Sequence, residues 1–321
     1  MTRLTVALPV YNGEAFLAAS IEAVLGQTYT DYELIISNNA STDGTDEICR
    51  HYARLDNRIR YVVQPRNLGA AGNHNATVAM ARTELFKWAS ADDLYGRELL
   101  EVCIGLLDAH PEAVLAHTWT AAIDAEDRVI QAYPYPLSTS SPSPAMRLRS
   151  LLRDHDGLPG AIRADDQYGV VRTAALRRIK PLNSYYHADQ TWTASLALQG
   201  PFAIHPDWLY FRRHHAGRAL QANPTVRSWT ANLDPRRADR WRHPAARLYA
   251  EYVWNYVDLV RQAPISAEDR RACYRQLADW AGDRLRRRLP GSFAGPVETP
   301  APAPESQAAR VDLDIVVAGR R

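Results

Sequence analysis

Short apolar runs alternate with amphipathic periods through residues 1–120, and each run ends in a polar, turn-forming segment. Leu4 to Val10 reads as a buried strand, after which Leu17, Ile21, Val24 and Leu25 recur at helical spacing. The pattern continues with a strand over Tyr32 to Ser37, a helix through about Leu55, a strand over Ile59 to Val63, a helix over Gly72 to Ala81 and a strand over Leu85 to Ala89. Strands joined by helices of this length need crossover connections, which implies an α/β architecture with a doubly wound, mostly parallel sheet.

Ligands of such sheets bind outside the carboxyl ends of the strands. Here those ends are Pro9 to Gly13, Asn38 to Asp43, Pro65 to Asn75 and Ser90 to Asp93. The last carries adjacent carboxylates, Asp92 and Asp93, ahead of a helical pattern that begins near Arg97. A carboxylate pair at a strand mouth is placed to hold a divalent cation and, through it, a diphosphate, although the same pair also suits a helix cap on a solvated turn.

Composition narrows the classes. A chain of 321 residues can bury a large α/β core without staples, and a formal charge of +2 does not call for nucleic acid as a partner. Cys49, Cys103 and Cys273 are odd in number and far apart, so they support neither a disulfide framework nor a metal site and point to a reducing, cytoplasmic compartment. Met1 to Val10 enters a strand at once, without signal-peptide order, and no apolar run approaches the length of a membrane span.

The second half is less regular. Tyr133 to Pro144 reads as a loop over the site, Gln167 to Arg172 as a short strand, His187 to Leu198 as a helix and Phe202 to Arg213 as a strand or hairpin. Helical patterns run from Ala245 to Val260 and from Ser266 to about Leu289, with Ser266 and Asp269 spaced as a capping box and Pro290 as the stop. The Pro- and Ala-rich stretch beyond is expected to be a disordered tail.

The order Leu8-Pro9-Val10-Tyr11-Asn12-Gly13-Glu14, Ser41-Thr42-Asp43-Gly44-Thr45, Asn67-Leu68-Gly69 to Asn75, and Ala91-Asp92-Asp93 resembles the nucleotide-sugar-binding half of family 2 glycosyltransferases of GT-A fold. Gly169, Arg172, Ala188-Asp189, Leu196, Gly200 and Phe211-Arg212-Arg213-His214 follow in the same family's order. The resemblance covers residues 1–220 and divides them into a nucleotide-sugar-binding half, 1–120, and an acceptor-binding half, 121–220. Residues 221–290 are then a helical carboxyl-terminal extension and 291–321 the tail.

The resemblance implies a metal-dependent, inverting transfer of a single sugar, with Mn²⁺ or Mg²⁺ as the ion and a UDP- or dTDP-sugar as the favoured donor. It implies Asp93 as metal ligand, Asp92 reaching the ribose or the metal through water, and His214 as the histidine brought to the ion or diphosphate, with His215 one position away. Pro9, Tyr11 and Glu14 would shape the base and ribose pocket, while Arg66, Asn67 and Gly69 lie where they could meet phosphate or sugar. Asn38-Asn39 stands where the family usually has two aspartates; the Asn39 carbonyl can still accept from a base, without the charge.

Asp189 is implied as the general base that deprotonates the acceptor hydroxyl, and it also suits the N-cap of a helix beginning near Gln190. Ala188 replaces the first acid of the usual acidic pair, which keeps open a nucleotide-sugar-binding protein without turnover. Trp192 suits either a sugar platform or the core. Asp154, His155, Asp156, Asp165 and Asp166 read as a solvated acidic loop or as a site for a cationic acceptor. The acceptor itself, a sugar, glycolipid or small molecule, is not legible. Tyr252, Trp254, Tyr256 and Trp280 beside Arg284 to Arg288 suit a helix lying peripherally at the inner face of a membrane, packed on the catalytic domain, or at a dimer contact.

Overall fold

The computed structural model describes residues 2–154 and 165–286. The chain runs β1 (Leu4–Val10), α1 (Leu17–Leu25), β2 (Tyr32–Asn38), α2 (Thr45–Leu55), β3 (Ile59–Val63), α3 (Gly69–Met80), β4 (Leu85–Trp88), β5 (Leu94–Tyr95) and α4 (Leu99–Ala109). It continues through β6 (Leu115–Ile123), β7 (Val129–Tyr133), α5 (Pro144–Arg149), β8 (Val170–Arg172), α6 (Thr173–Leu176), α7 (Ala188–Ala197) and β9 (Phe202–Arg213). Four helices close the described chain: α8 (Ala219–Ala222), α9 (Val226–Leu233), α10 (Ala245–Gln262) and α11 (Ala267–Arg286). The calls on Pro290, Arg287 and Arg288, the tail, His155 and Asp156 lie outside the described residues.

The strands form one sheet in the order β3-β2-β1-β4-β8-β6-β9-β5, with β7 beside the far end of β6. The first four are parallel, as the crossover argument requires. The chain steps outward from β1 through β2 to β3 and then returns to the other side of β1 as β4, so the β1/β4 boundary is a topological switch point. Beyond β4 the pairing is mixed: β8 is antiparallel to β4 and β6, and β9 is parallel to β6 along its whole length.

Side chains of β1 alternate between two cores, Val6 and Leu8 in one and Ala7 in the other. The first core lies under α1, α2 and α4; the second gathers Phe86 and Trp88 of β4 with α7, α10 and α11. Trp192 is buried against Trp88, with ring centroids 4.8 Å apart, so it belongs to the core and offers no sugar platform. Tyr252, Tyr256 and Trp280 are buried in the same cluster, which seats α10 and α11 on the catalytic sheet; of the aromatics expected at a lipid layer only Trp254 is exposed. No helix among the described residues is long and apolar enough to cross a membrane.

The β6–β7 hairpin and α9 were not legible beforehand. The Leu115–Ile123 sequence is small and Thr-rich, neither alternating nor strongly apolar, and it becomes a central strand because β9 pairs with it along its length. The expected strand from Gln167 begins only at Val170, after a single 3₁₀ turn over Asp165–Tyr168.

Lys87 of β4 is buried between the Tyr95 and Tyr210 rings and donates from Nζ to the Tyr168 carbonyl. Burial pushes its amine from 10.5 down to about 8. Between these values the unfolded chain holds a proton that the folded chain has released, so this group penalises folding below pH 8 and the penalty is relieved as the pH rises to 10.5. Lys87→Met should flatten the rise in unfolding free energy across that window by roughly 2–3 kcal/mol relative to wild type. Denaturant titrations of both proteins across the window check this; parallel profiles would contradict it.

Candidate active site

The site begins where β4 ends. The turn after Trp88 is held by the Tyr95 hydroxyl, which accepts from the Ser90 amide at 2.6 Å, and it presents Asp92 and Asp93 beside the end of β9. The two carboxylates have different environments. Asp93 is fully buried; one oxygen accepts from the Arg213 amide at 2.8 Å and the other from the Tyr210 hydroxyl. Burial, with the adjacent Asp92 charge, raises its pKa against the opposing pull of Arg218, whose guanidinium lies 3.6 Å away.

The Asp92 carboxylate is a quarter exposed and lies 3.0 Å from His215 Nε2, with Ser90 Oγ donating to its other oxygen. Burial works against its charge, but the His215 hydrogen bond, the Arg218 charge and the Ser90 hydroxyl outweigh that, and its pKa falls below the usual carboxylate range. The histidine on the carboxylate pair is therefore His215. His214 ties the end of β9 to the Ile123 carbonyl through its amide at 2.7 Å, and among the described residues its buried Nε2 has no hydrogen-bond partner. Burial, and then the Arg218 charge, lower its pKa to about 4.

Three arginines complete this wall; Arg212 and Arg213 stood in the family-ordered segment without a role, and Arg218 was not singled out in the sequence. Arg213 is buried, donating from Nε to the Asp92 carbonyl at 2.8 Å and stacking its guanidinium over Phe16, 4.6 Å from the ring centroid. Arg218 donates to the Arg213 carbonyl and faces Asp93. Arg212 pairs with Asp165 at 2.8 Å. Phe211 to His214 had marked the segment, but nothing in the sequence joined Arg218 to it.

Asp189 sits in the first turn of α7, not at its N-cap, which is His187 in left-handed backbone at φ 62°. Burial raises the Asp189 pKa, opposed by the Gln190 amide and the Arg212 charge. Asp165 and Asp166 are buried, not a solvated loop. Burial lifts both to about 7, and Asp166 accepts from the Tyr135 hydroxyl at 2.9 Å. Arg212 thus links the acid turn to the charge around Asp189.

The loops at the ends of β1 to β3 are largely engaged with one another. Asn39 is buried, donating to Asn67 Oδ1 at 3.0 Å and the Gly69 carbonyl at 3.3 Å while accepting from the Leu68 amide at 2.8 Å. Asn38 donates to the Tyr61 hydroxyl at 2.8 Å and accepts from the Ser41 amide at 2.9 Å. The Asn39 amide locks the Asn67 to Gly69 loop, and the Asn38 amide ties β3 to Ser41, where charged aspartates would lack the donating NH₂. Asn67 also accepts from the Gly69 amide at 2.7 Å, so that N–H is occupied. Glu14 accepts from the Gly44 amide just before α2. Pro9 is half-buried at the end of β1, while Tyr11 and Arg66 are exposed at the rim.

With this geometry in view, the family model described as glycosyl transferase family 2 matches residues 5–179. The chain belongs to glycosyl transferase family 2. Curated members are similar over their matched segments: glycosyltransferase GlyG of Streptococcus pneumoniae is 33% identical over 98 residues, 30% of this chain and 33% of GlyG. Putative glycosyltransferase EpsE of Bacillus subtilis is 34% identical over 109 residues, 34% of this chain and 39% of EpsE. The matches thus span about a third of each relative's length.

Among solved structures, S. aureus TarS 1-349 in complex with UDP-GlcNAc superposes with a TM-score of 0.54 at 14% identity, covering 91% of this chain and 93% of that one. The mannosyltransferase PcManGT from Pyrobaculum calidifontis, in complex with GDP-Man and Mn2+, gives 0.50 at 16% identity over 91% of this chain and 76% of its own. The architecture is a GT-A fold.

The donor set suits a hard divalent ion only in part. Among the described residues no three His, Cys, Asp or Glu side chains converge to hold a metal by themselves. Asp92 and His215 offer one carboxylate oxygen and one imidazole nitrogen, so an ion held there would have to take its remaining ligands from substrate phosphates and water.

Gly69 supplies a test of the loop's packing. It lies at φ +77°, where a Cβ would collide with the carbonyl oxygen of Leu233, the last residue of α9. Gly69→Ala should lower unfolding stability by about 1–3 kcal/mol, measured by chemical denaturation. An unchanged midpoint and slope would show that the loop tolerates a different backbone.

Proposed function

We propose that this family 2 chain is a metal-dependent, inverting glycosyltransferase that moves one sugar from a nucleotide-sugar donor to an acceptor hydroxyl. The observation that carries the reading is the half-open carboxylate of Asp92, paired with His215 beside the β1/β4 switch point, while Asp93 is sealed beneath it. Similar folds holding UDP-GlcNAc, or GDP-Man with Mn2+, support a nucleoside diphosphate there. UDP or dTDP remains the favoured carrier, and a cell-envelope glycan, a glycolipid or a small secondary metabolite the acceptor.

The residues divide the work as follows. Asp92 and His215 would hold Mn²⁺ or Mg²⁺ together with the diphosphate, and an ion bound there would supply positive charge against that of the departing nucleotide. Asp93 is a positioning residue: by accepting from Tyr210 and the Arg213 amide it fixes the end of β9 that carries His215. This moves the ion from Asp93, to which the resemblance gave it, to Asp92. Arg218 adds a fixed positive charge close to both. Asp189 takes the proton of the attacking hydroxyl, so that a single displacement inverts the anomeric centre, and its burial makes it a stronger base than an exposed aspartate.

Thermal shifts with UDP, dTDP, GDP and CDP and their sugars, with and without Mn²⁺, test the donor site; saturation at about 100 times Kd adds roughly 2.7 kcal/mol. Asp92→Asn and His215→Ala should each abolish the metal-dependent part of that shift. If both variants respond like wild type, the ion is held elsewhere.

Asp189→Asn should retain the shift and lower turnover by about 10²- to 10⁴-fold. Because burial raises the Asp189 pKa, wild-type kcat/KM should fall on acidification at a pH above the ordinary carboxylate range. Full activity of the variant would remove Asp189 from the mechanism, and donor binding with neither transfer nor hydrolysis in wild type would favour a nucleotide-sugar-binding protein.

A further inference from the structure

Between α9 and α10, and along the outer side of α10, the surface combines exposed indoles with a concentration of arginine. Trp241 is 83% exposed and Trp254 62%, the latter beside exposed Val253. Leu248, Tyr252, Tyr256 and Val260 bury one side of α10, and helical spacing puts Arg247, Trp254 and Arg261 on the other. The Arg240 guanidinium lies over the Trp241 ring, 5.1 Å from its centroid.

Charge is as uneven as exposure. Residues 227–261 contain seven arginines against four carboxylates, an excess of three that exceeds the +2 of the entire chain. All four carboxylates are already engaged: Asp234 by Arg236, Asp239 by Arg242 and two backbone amides, Glu251 by Arg237 and Arg247, and Asp258 by Lys180 and Arg261. An incoming anion therefore meets the positive excess without an unpaired carboxylate to repel it.

We infer that this surface, centred on Trp241 and Trp254 and rimmed by arginine, docks the protein on an anionic lipid bilayer. Indole is the side chain that sits at the headgroup level, apolar in body and able to donate a hydrogen bond, and arginine reaches lipid phosphates while its stem follows the apolar layer. Tryptophan and arginine are enriched at protein–protein contacts as well, but a second copy would bring the same positive excess to the contact, whereas an anionic bilayer brings the opposite charge. The surface expected from the sequence, on the aromatics of α10 and α11, is thereby moved: Tyr252, Tyr256 and Trp280 are core, and the exposed indoles lie on the opposite side of α10 and in the loop before it.

The segment just before this surface, Leu233 to Pro235, packs on Gly69 of the loop that Asn39 holds. A bilayer bound to residues 236–242 would thus lie a few residues along the chain from the donor-side loops, within reach of an acceptor carried on a lipid. The docking inference stands on the surface alone and does not require the proposed transfer reaction.

The test is flotation of the full chain with vesicles of phosphatidylcholine alone and of phosphatidylcholine with phosphatidylglycerol. Wild type should float with the anionic vesicles, be released by high salt, and bind the neutral ones weakly. The doubly substituted Trp241→Ala, Trp254→Ala protein and the doubly substituted Arg240→Glu, Arg242→Glu protein should each lose about tenfold or more in partitioning while melting like wild type. Absence of binding to anionic vesicles, or equal binding by either folded variant, overturns the inference. So does a wild-type dimer in sedimentation that the tryptophan substitutions dissociate without any vesicle binding, which would make the surface a contact between copies.

Discussion

The buried carboxylate of Asp93 is the joint on which the site depends. It emerges from the turn after β4, in the parallel half of the sheet, and accepts two hydrogen bonds from the end of β9, which belongs to the mixed half. A carboxylate sealed from water is costly unless its oxygens are satisfied and its charge is faced by a cation. Tyr210, the Arg213 amide and Arg218 meet those conditions. The same contacts bring His215 onto Asp92. One residue thus pays its desolvation cost by fixing where another can act.

Around this joint, opposite charges are interleaved at low exposure. Asp92, Asp93, Asp165 and Asp189 are set against Arg212, Arg213 and Arg218. The burial that raises Asp93, Asp165 and Asp189 is countered unequally from site to site, so neighbouring carboxylates acquire different affinities for protons. Separation of this kind allows one acid to remain ionised beside a cation while another accepts a proton. Lys87 adds a further cation beneath Asp93, caged by tyrosine rings and pushed toward its neutral form.

Much of the first half of the fold was legible because its signals are local. The runs at Leu4–Val10, Tyr32–Asn38 and Ile59–Val63 are buried strands, and the helices between them demand parallel crossovers. The second half depends on partners distant in sequence. Leu115–Ile123 is a strand because β9 lies beside it, and Asp165 and Asp166 are buried because Arg212 and Tyr135 lie against them. Asn38 and Asn39 illustrate the same limit: as residue types they suggested contacts with a base, yet their amides cross-link loops of their own chain.

The sequence by itself determined the α/β class, the polar strand ends, the adjacent carboxylates after β4 and the family order of the motifs, because strand and helix periodicity and turn chemistry are read over a few neighbouring residues. The resemblance gave the ion to Asp93 and left His214 and His215 open, since adjacent residues differ only in what the rest of the chain brings to them. The sequence could not separate buried Trp192 and Trp280 from exposed Trp241 and Trp254 either. Tertiary structure alone gave these residues their different surroundings, because burial, and the pairing of a charge over 120 residues of chain between Asp93 and Arg213, are properties of the packed molecule.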